Sequence, residues 1–166
     1  MKRESIMNFK KGNIEGVIIK KLTKYSDERG YLIETIRKDN LPDRLKISMS
    51  YVSFTKPGVY RGPHEHVKQA DVFCFIGPGI FKIKLWDNRK KCKTFGHYME
   101  ISGGRENLII IVIPPGIVHG YKNISKELGM VINYPDKLFK GWNKEDEVDE
   151  IRHEDIKDIF YLDFIR

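Results

Sequence analysis

The chain has 166 residues, 40% of them hydrophobic and 32% charged, and a formal net charge of +7. That length suits a single domain able to bury a real core, and no apolar run approaches the roughly 20 residues of a membrane helix. The positive balance suits an anionic ligand such as a small phosphorylated substrate. The lysines are scattered and no nucleic-acid-binding signature occurs, so neither nucleic acid nor a membrane is an expected partner. Cys74 and Cys92 form no CxxC pair, and Cys74 reads as a buried free thiol. The N-terminal MKRESIMNFKKGNIEG lacks the apolar core of a signal peptide, which makes the cytoplasm the expected compartment.

The chain reads as one domain over 1–166, with an N-terminal arm at 1–13, a barrel at 14–134 and a tail at 135–166. The arm is polar and basic, and is expected to be mobile or to dock on a partner. GVIIKKLTK at 16–24 is predicted as a strand, YSDERG at 25–30 as a polar turn, and YLIETIR at 31–37 as a further strand. A helical turn is expected at 41–45. ISMSYVSFT at 47–55 alternates apolar and small polar residues with period two, the pattern of a half-buried strand. VFCFI follows at 72–76. IFKIKLWD at 80–87 places Ile80, Lys82, Lys84 and Trp86 on one face and Phe81, Ile83, Leu85 and Asp87 on the other. Short strands are predicted at 98–101, 108–113, 121–124 and 129–134, with Gly and Pro between them. Strand after strand at short spacing argues an all-β sandwich or barrel. From Pro135 the chain turns acidic, then alternates charge with Ile, Phe and Leu, as expected of a short, partly helical tail covering the barrel.

Two stretches carry the candidate chemistry. In GVYRGPHEHVKQADVFCFIGPG (58–79), His64 and His66 stand two apart and project together if the segment is extended. Asp71 follows. In PPGIVHGYKN (114–123), His119 ends a second apolar run. If the two stretches meet inside one barrel, two chemistries are open. His64, His66, Asp71 and His119 could ligate a divalent transition metal in a partly open site. Alternatively, His64 could act as a metal-free general base, with Arg61 or Lys68 holding negative charge and Tyr134 as the acid. His97 and His153 lie in polar stretches and read as surface groups.

At these residues the chain resembles a cupin, whose two motifs match HxH plus a carboxylate and Pro114-x-Gly116-x-x-His119-x-x-x-Asn123. Within that superfamily it resembles the dTDP-4-dehydrorhamnose 3,5-epimerase family. The matching pieces are Asp27-Glu28-Arg29-Gly30-Tyr31 with Glu34, Arg61-Gly62-Pro63-His64, Pro114 to Gly120, and Asn133-Tyr134. The resemblance implies a jelly-roll barrel, usually dimeric, that epimerises a nucleotide-diphospho-4-keto-6-deoxyhexose without a metal or other cofactor. It implies His64 as base, Tyr134 as acid, Arg61 and His119 in the sugar pocket, and Arg29 and Glu34 at the nucleotide site, reached partly from a neighbouring subunit. The chain departs from that pattern where the family carries a QGK lysine and this sequence has Gln69-Ala70-Asp71. The family's C-terminal Asp, the partner of the base, has no clear match; Asp149 and Asp155 are the candidates in the acidic tail.

Overall fold

Side-chain alternation along the strands sets the architecture. The structure, a computed structural model, describes residues 8–166. The strands are β1 (Lys10–Lys11), β2 (Ile18–Lys21), β3 (Lys24–Asp27), β4 (Gly30–Ile33), β5 (Tyr51–Thr55), β6 (Tyr60–Glu65), β7 (Asp71–Phe75), β8 (Ile80–Asp87), β9 (His97–Gly104), β10 (Ile109–Ile113), β11 (Ile117–Asn123), β12 (Gly129–Asn133) and β13 (Ile151–Arg152). Two short helices close the chain, α1 (His153–Ile156) and α2 (Ile159–Ile165). A six-stranded sheet has the order β1-β9-β8-β11-β6-β13, and a five-stranded sheet the order β2-β10-β7-β12-β5. The fold is an all-β jelly roll in which the inner faces of the two sheets make the core.

Phe81, Ile83 and Leu85 of β8 meet Phe73 and Phe75 of β7 and Ile109, Ile111 and Ile113 of β10 in that core. The other face of β10, Ile110 and Val112, packs under Leu22, Ile36, Leu41 and Leu45. The strand is therefore buried on both sides, which is why its sequence reads IIIVI without alternation. Trp86, on the outer face of β8, is covered by Phe160 of α2, with ring centroids 6.1 Å apart. Lys84 beside it reaches the Asp163 carboxylate at 2.7 Å.

Several local expectations change. The helical turn expected at 41–45 lies earlier, at Lys38–Asn40, and the strand expected over 31–37 ends at Ile33. The segment 25–30 is a β-hairpin rather than a plain turn, with β3 and β4 paired from Lys24↔Ile33 to Asp27↔Gly30. The strand expected from Ile47 begins only at Tyr51. The part of the arm from Asn8 to Asn13 is docked: Phe9 packs on Phe160 at 5.4 Å, and β1 pairs parallel with β9. The rest of the arm, 1–7, lies outside the described residues.

Candidate active site

His64 and His119 stand directly opposite each other on the neighbouring strands β6 and β11. Their rings meet edge to face at 4.4 Å. The β11 register shifts between His119 and Tyr121, a bulge of the kind that re-aims side chains beside active sites. Gly62 permits the close approach. A Cβ there would lie 2.7 Å from the His119 carbonyl oxygen, and its φ of +81° is one that glycine adopts freely. His66 continues past the end of β6, and Asp71 opens β7 in the facing sheet. The two sheets thus deliver three imidazoles and a carboxylate to one point, with ligating atoms all within 4.8 Å of one another.

Asp71 is 1% exposed. Its Oδ1 accepts from Asn133 Nδ2 at 2.9 Å and from Gln69 Nε2 at 3.0 Å. Its Oδ2 lies 3.1 Å from His66 Nε2 and 3.3 Å from His119 Nε2, close but not aligned as hydrogen bonds. The Gln69 amide also comes within 3.2 Å of His66 Nε2. Burial pushes the Asp71 carboxyl up, but His119 and His66 outweigh it and the net shift is down. Burial likewise pushes His66 down, and Asp71 reverses this and raises it to about 9. His64 has no such partner at hydrogen-bonding distance. Burial, then His119 and His66, hold it well below 6.5, so it is neutral at physiological pH.

The tail completes the site. The Asp149 carboxylate accepts from the backbone N–H groups of Val67, Lys68 and Gln69 at 3.0, 2.8 and 2.9 Å. The Asp149 carbonyl accepts from His66 Nδ1. Asp149 therefore pins the histidine loop rather than pairing with His64. Glu150 is the carboxylate beside His64, with Oε1 at 3.6 Å from Nδ1 and Oε2 held by Arg152 Nε at 3.1 Å. Asp155 points away toward Arg152.

An open cavity of about 1720 Å³ lies over the cluster, lined among others by His64, His66, Arg61, Lys68, Tyr51 and Tyr121. It exceeds what one hexose needs and has room for a nucleotide-linked sugar. Arg61 is held at its wall by Thr55 Oγ1 at 2.9 Å and the Phe54 carbonyl at 2.8 Å. His119 lies in the floor beneath His64 and is 3% exposed.

Several expected site residues lie elsewhere. Tyr134 does not line the cavity. Asn133 turns inward to Asp71, so its neighbour Tyr134 projects to the opposite face of the sheet. There it packs with Val72, Ile110 and Leu45, and its hydroxyl bonds Thr35 Oγ1 at 2.8 Å. Arg29 and Glu34 sit on and beside the exposed β3–β4 hairpin, where Arg29 pairs with Asp27 and Glu34 with Arg37. Neither lines the cavity of its own chain.

His153, read as a surface group, is 4% exposed. Its Nδ1 lies 2.6 Å from Asp158 and its Nε2 3.2 Å from Glu65. Burial lowers its pKa, but Glu65 and Asp158 outweigh burial and the net shift is upward from 6.5. A raised pKa gives stability that is fully present below the unfolded value and lost as pH rises through the folded one. We therefore expect a His153→Gln variant to unfold at a lower temperature than the parent at about pH 6, with the gap narrowing by about pH 9. Melting curves across that range check it.

Tyr51, Tyr121 and Glu150 enter the site without having been singled out in the sequence, and Asn133, matched there only as a neighbour of Tyr134, enters in its place. The Tyr51 hydroxyl accepts from Asn133 Nδ2 at 3.1 Å, and burial pushes it up to about 12. The Tyr121 hydroxyl pairs with Ser53 Oγ at 3.0 Å. The alternation of 47–55 does place Tyr51 and Ser53 on one face.

Known proteins are similar to this chain in sequence and, where solved, in fold. A probable low-salt glycan biosynthesis epimerase, Agl13, from Haloferax volcanii is 33% identical over 136 residues, covering 81% of this chain and 86% of its own. The spore coat polysaccharide biosynthesis protein SpsL of Bacillus subtilis is 37% identical over 111 residues, 66% of this chain and 71% of that one. The crystal structure of dTDP-4-dehydrorhamnose 3,5-epimerase from Sulfolobus tokodaii superposes with a TM-score of 0.65 at 29% identity, covering 78% of this chain and 75% of that one. The model of the dTDP-4-dehydrorhamnose 3,5-epimerase family matches residues 11–157, and the chain belongs to that family.

Proposed function

We propose that this protein epimerises a nucleotide-diphospho-4-keto-6-deoxyhexose at a carbon beside the ketone. The observation that carries the reading is His64, a part-buried imidazole held neutral at the floor of a nucleotide-sugar-sized cavity, with a carboxylate at its back. With Nδ1 turned to Glu150, Nε2 is the nitrogen free to take a proton. It removes the proton on the carbon next to C4. The C–H electron pair moves into the ring and the C4 oxygen takes the charge as an enolate. The ketone is what makes that C–H acidic enough.

Where the family carries a QGK lysine, this chain has Gln69-Ala70-Asp71. Here Asp71 occupies that place and holds positive charge on His66 instead. Lys68 and Arg61 add charge at the wall suited to a diphosphate. The inverted centre forms when a proton returns to the opposite face. Tyr51, on the sheet facing His64, accepts a hydrogen bond from Asn133 and keeps its own O–H to donate. It takes the role expected of Tyr134. The tyrosinate then recovers a proton from solvent, and His64 returns its proton to solvent. Only protons move, so the step balances without a redox cofactor.

A homodimer belongs to the same reading. Edge strand β5 turns Val52 and Phe54 outward, and the β3–β4 hairpin exposes Tyr25, Tyr31 and Leu32, surfaces suited to a second copy. On that arrangement Arg29 and Glu34 serve the neighbouring cavity. Incubation with dTDP-4-keto-6-deoxyglucose, followed by proton NMR of the ring couplings, tests the activity. Inverted couplings beside C4 are expected. An unchanged sugar that nonetheless binds would make the chain a sugar-binding protein instead.

A further inference from the structure

Glu65 stands between His64 and His66 in the chain, and proton transfer at the sugar gives it no part. A strand turns successive side chains to opposite faces, so while His64 lines the cavity, Glu65 leaves by the other side of β6. It is 6% exposed there. Its Oε1 accepts from Asn88 Nδ2 at 2.8 Å and lies 3.2 Å from His153 Nε2. His153 turns its other nitrogen, Nδ1, to Asp158 at 2.6 Å, and the Phe160 ring covers it at 4.8 Å. Two carboxylates thus hold both nitrogens of one buried imidazole. A neutral ring has one N–H and donates to one of them; an imidazolium donates to both.

This tie sits where the tail needs one. β13 is two residues long and pairs with β6 through Ile151↔Glu65 and Arg152↔His64. So short a ladder is too weak to fix a segment by itself. Yet the residues just before it are Asp149, which receives the N–H groups of Val67, Lys68 and Gln69, and Glu150, which stands 3.6 Å from His64. Phe160 anchors the far end of the tail on Trp86. The His153–Glu65 contact anchors the near end, next to Arg152, whose guanidinium holds Glu150.

We propose that Glu65, His153 and Asp158 are positioning residues: a clamp that seats Asp149 on the histidine loop and Glu150 beside His64. Among the described residues, Glu65 from β6 and Asp158 from the head of α2 are the charged groups facing the ring. Arg152 and Glu154 flank it on its own segment. Burial lowers the pKa of His153, but Glu65 and Asp158 outweigh burial and raise it above 6.5. The clamp is therefore closed below that value, and loosens as pH rises through the folded pKa and the ring gives up one of its two bonds. The placement of the tail is read out without any sugar; its effect on rate rests on the reading of His64 as base.

The test is hydrogen exchange in the full-length protein, read by NMR at the Val67, Lys68 and Gln69 amides well below the melting temperature. At about pH 6, His153→Gln and Glu65→Gln are each expected to lower the protection of these amides by at least about fivefold. A merely structural role would speed exchange in β10, which opens with the whole fold, and leave the loop amides where they are; that result overturns the proposal. In the parent, protection corrected for intrinsic exchange is expected to fall between about pH 6 and about pH 8, and in His153→Gln to stay level. Should both variants fail to fold, the parent decides alone, and level protection across that range overturns the proposal. With a 4-keto sugar nucleotide, both variants are expected to lose about tenfold or more in kcat with KM changed by less than about twofold. Loop amides that loosen with kcat unchanged would overturn the positioning role. A parent that epimerises nothing would count against the activity and leave the exchange result standing.

Discussion

Replacing His64 with Asn is expected to lower the epimerisation rate by about 10²–10⁴-fold, the usual range for a lost general base, while the fold persists. The side chain is part-buried at the cavity floor, and among the described residues its only charged neighbour at ion-pair distance is Glu150, so its removal strands little. Asn fills similar space and cannot accept the proton as readily. Steady-state rates with a 4-keto sugar nucleotide, alongside a melting curve, separate catalytic loss from unfolding. A decrease of less than about tenfold removes His64 from the role of base. A large loss of rate at an unchanged melting temperature supports it.

Phe160→Ala is expected to destabilise the protein by about 3–5 kcal/mol, the cost of emptying a buried phenylalanine site. Phe160 is, with Phe164, where the tail grips the barrel. Its ring lies 6.1 Å from Trp86, 5.4 Å from Phe9 and 4.8 Å from His153. Asp158, two residues before it, caps α2 through the Phe160 N–H at 3.0 Å and holds His153. Truncation at Phe160 therefore loosens both α1 and α2. The preceding stretch carries Glu150 to His64 and Asp149 to the histidine loop, so activity is expected to fall with stability. At this chain length the change corresponds to a lowering of the melting temperature by about 6–20 °C. A shift under about 1 kcal/mol would mean that the tail opens independently of the barrel.

Much of this was legible in the chain. The strand pattern was carried by strict alternation in IFKIKLWD, and the candidate meeting of the histidines by a His pair ahead of one apolar run and a His after another. Three things were not legible, each for a physical reason. Tyr134 fails because a strand has a period of two: the inward position belongs to Asn133, one residue away, and a shift of one residue exchanges faces. His153 looked like a surface group because its neighbours in sequence are charged, whereas its burial comes from Glu65, 88 residues away. Glu150 was hidden among several carboxylates. Only the pairing of β13 with β6, which sets Arg152 opposite His64 and Ile151 opposite Glu65, selects it. These are long-range choices, and local composition does not encode them. Cys74, by contrast, is buried as its strand predicted, and burial pushes its thiol up to about 12.

The central claim is that a proton leaves and re-enters the sugar at a carbon flanking C4. Incubating the wild-type protein with a nucleotide-linked 4-keto-6-deoxyhexose in D₂O, then locating deuterium by NMR and mass spectrometry, tests it most directly. Deuterium at C3, C5 or both, and at no other ring carbon, is the predicted result. An inverted centre that has kept its original hydrogen, or a bound sugar that takes up no deuterium, would contradict it.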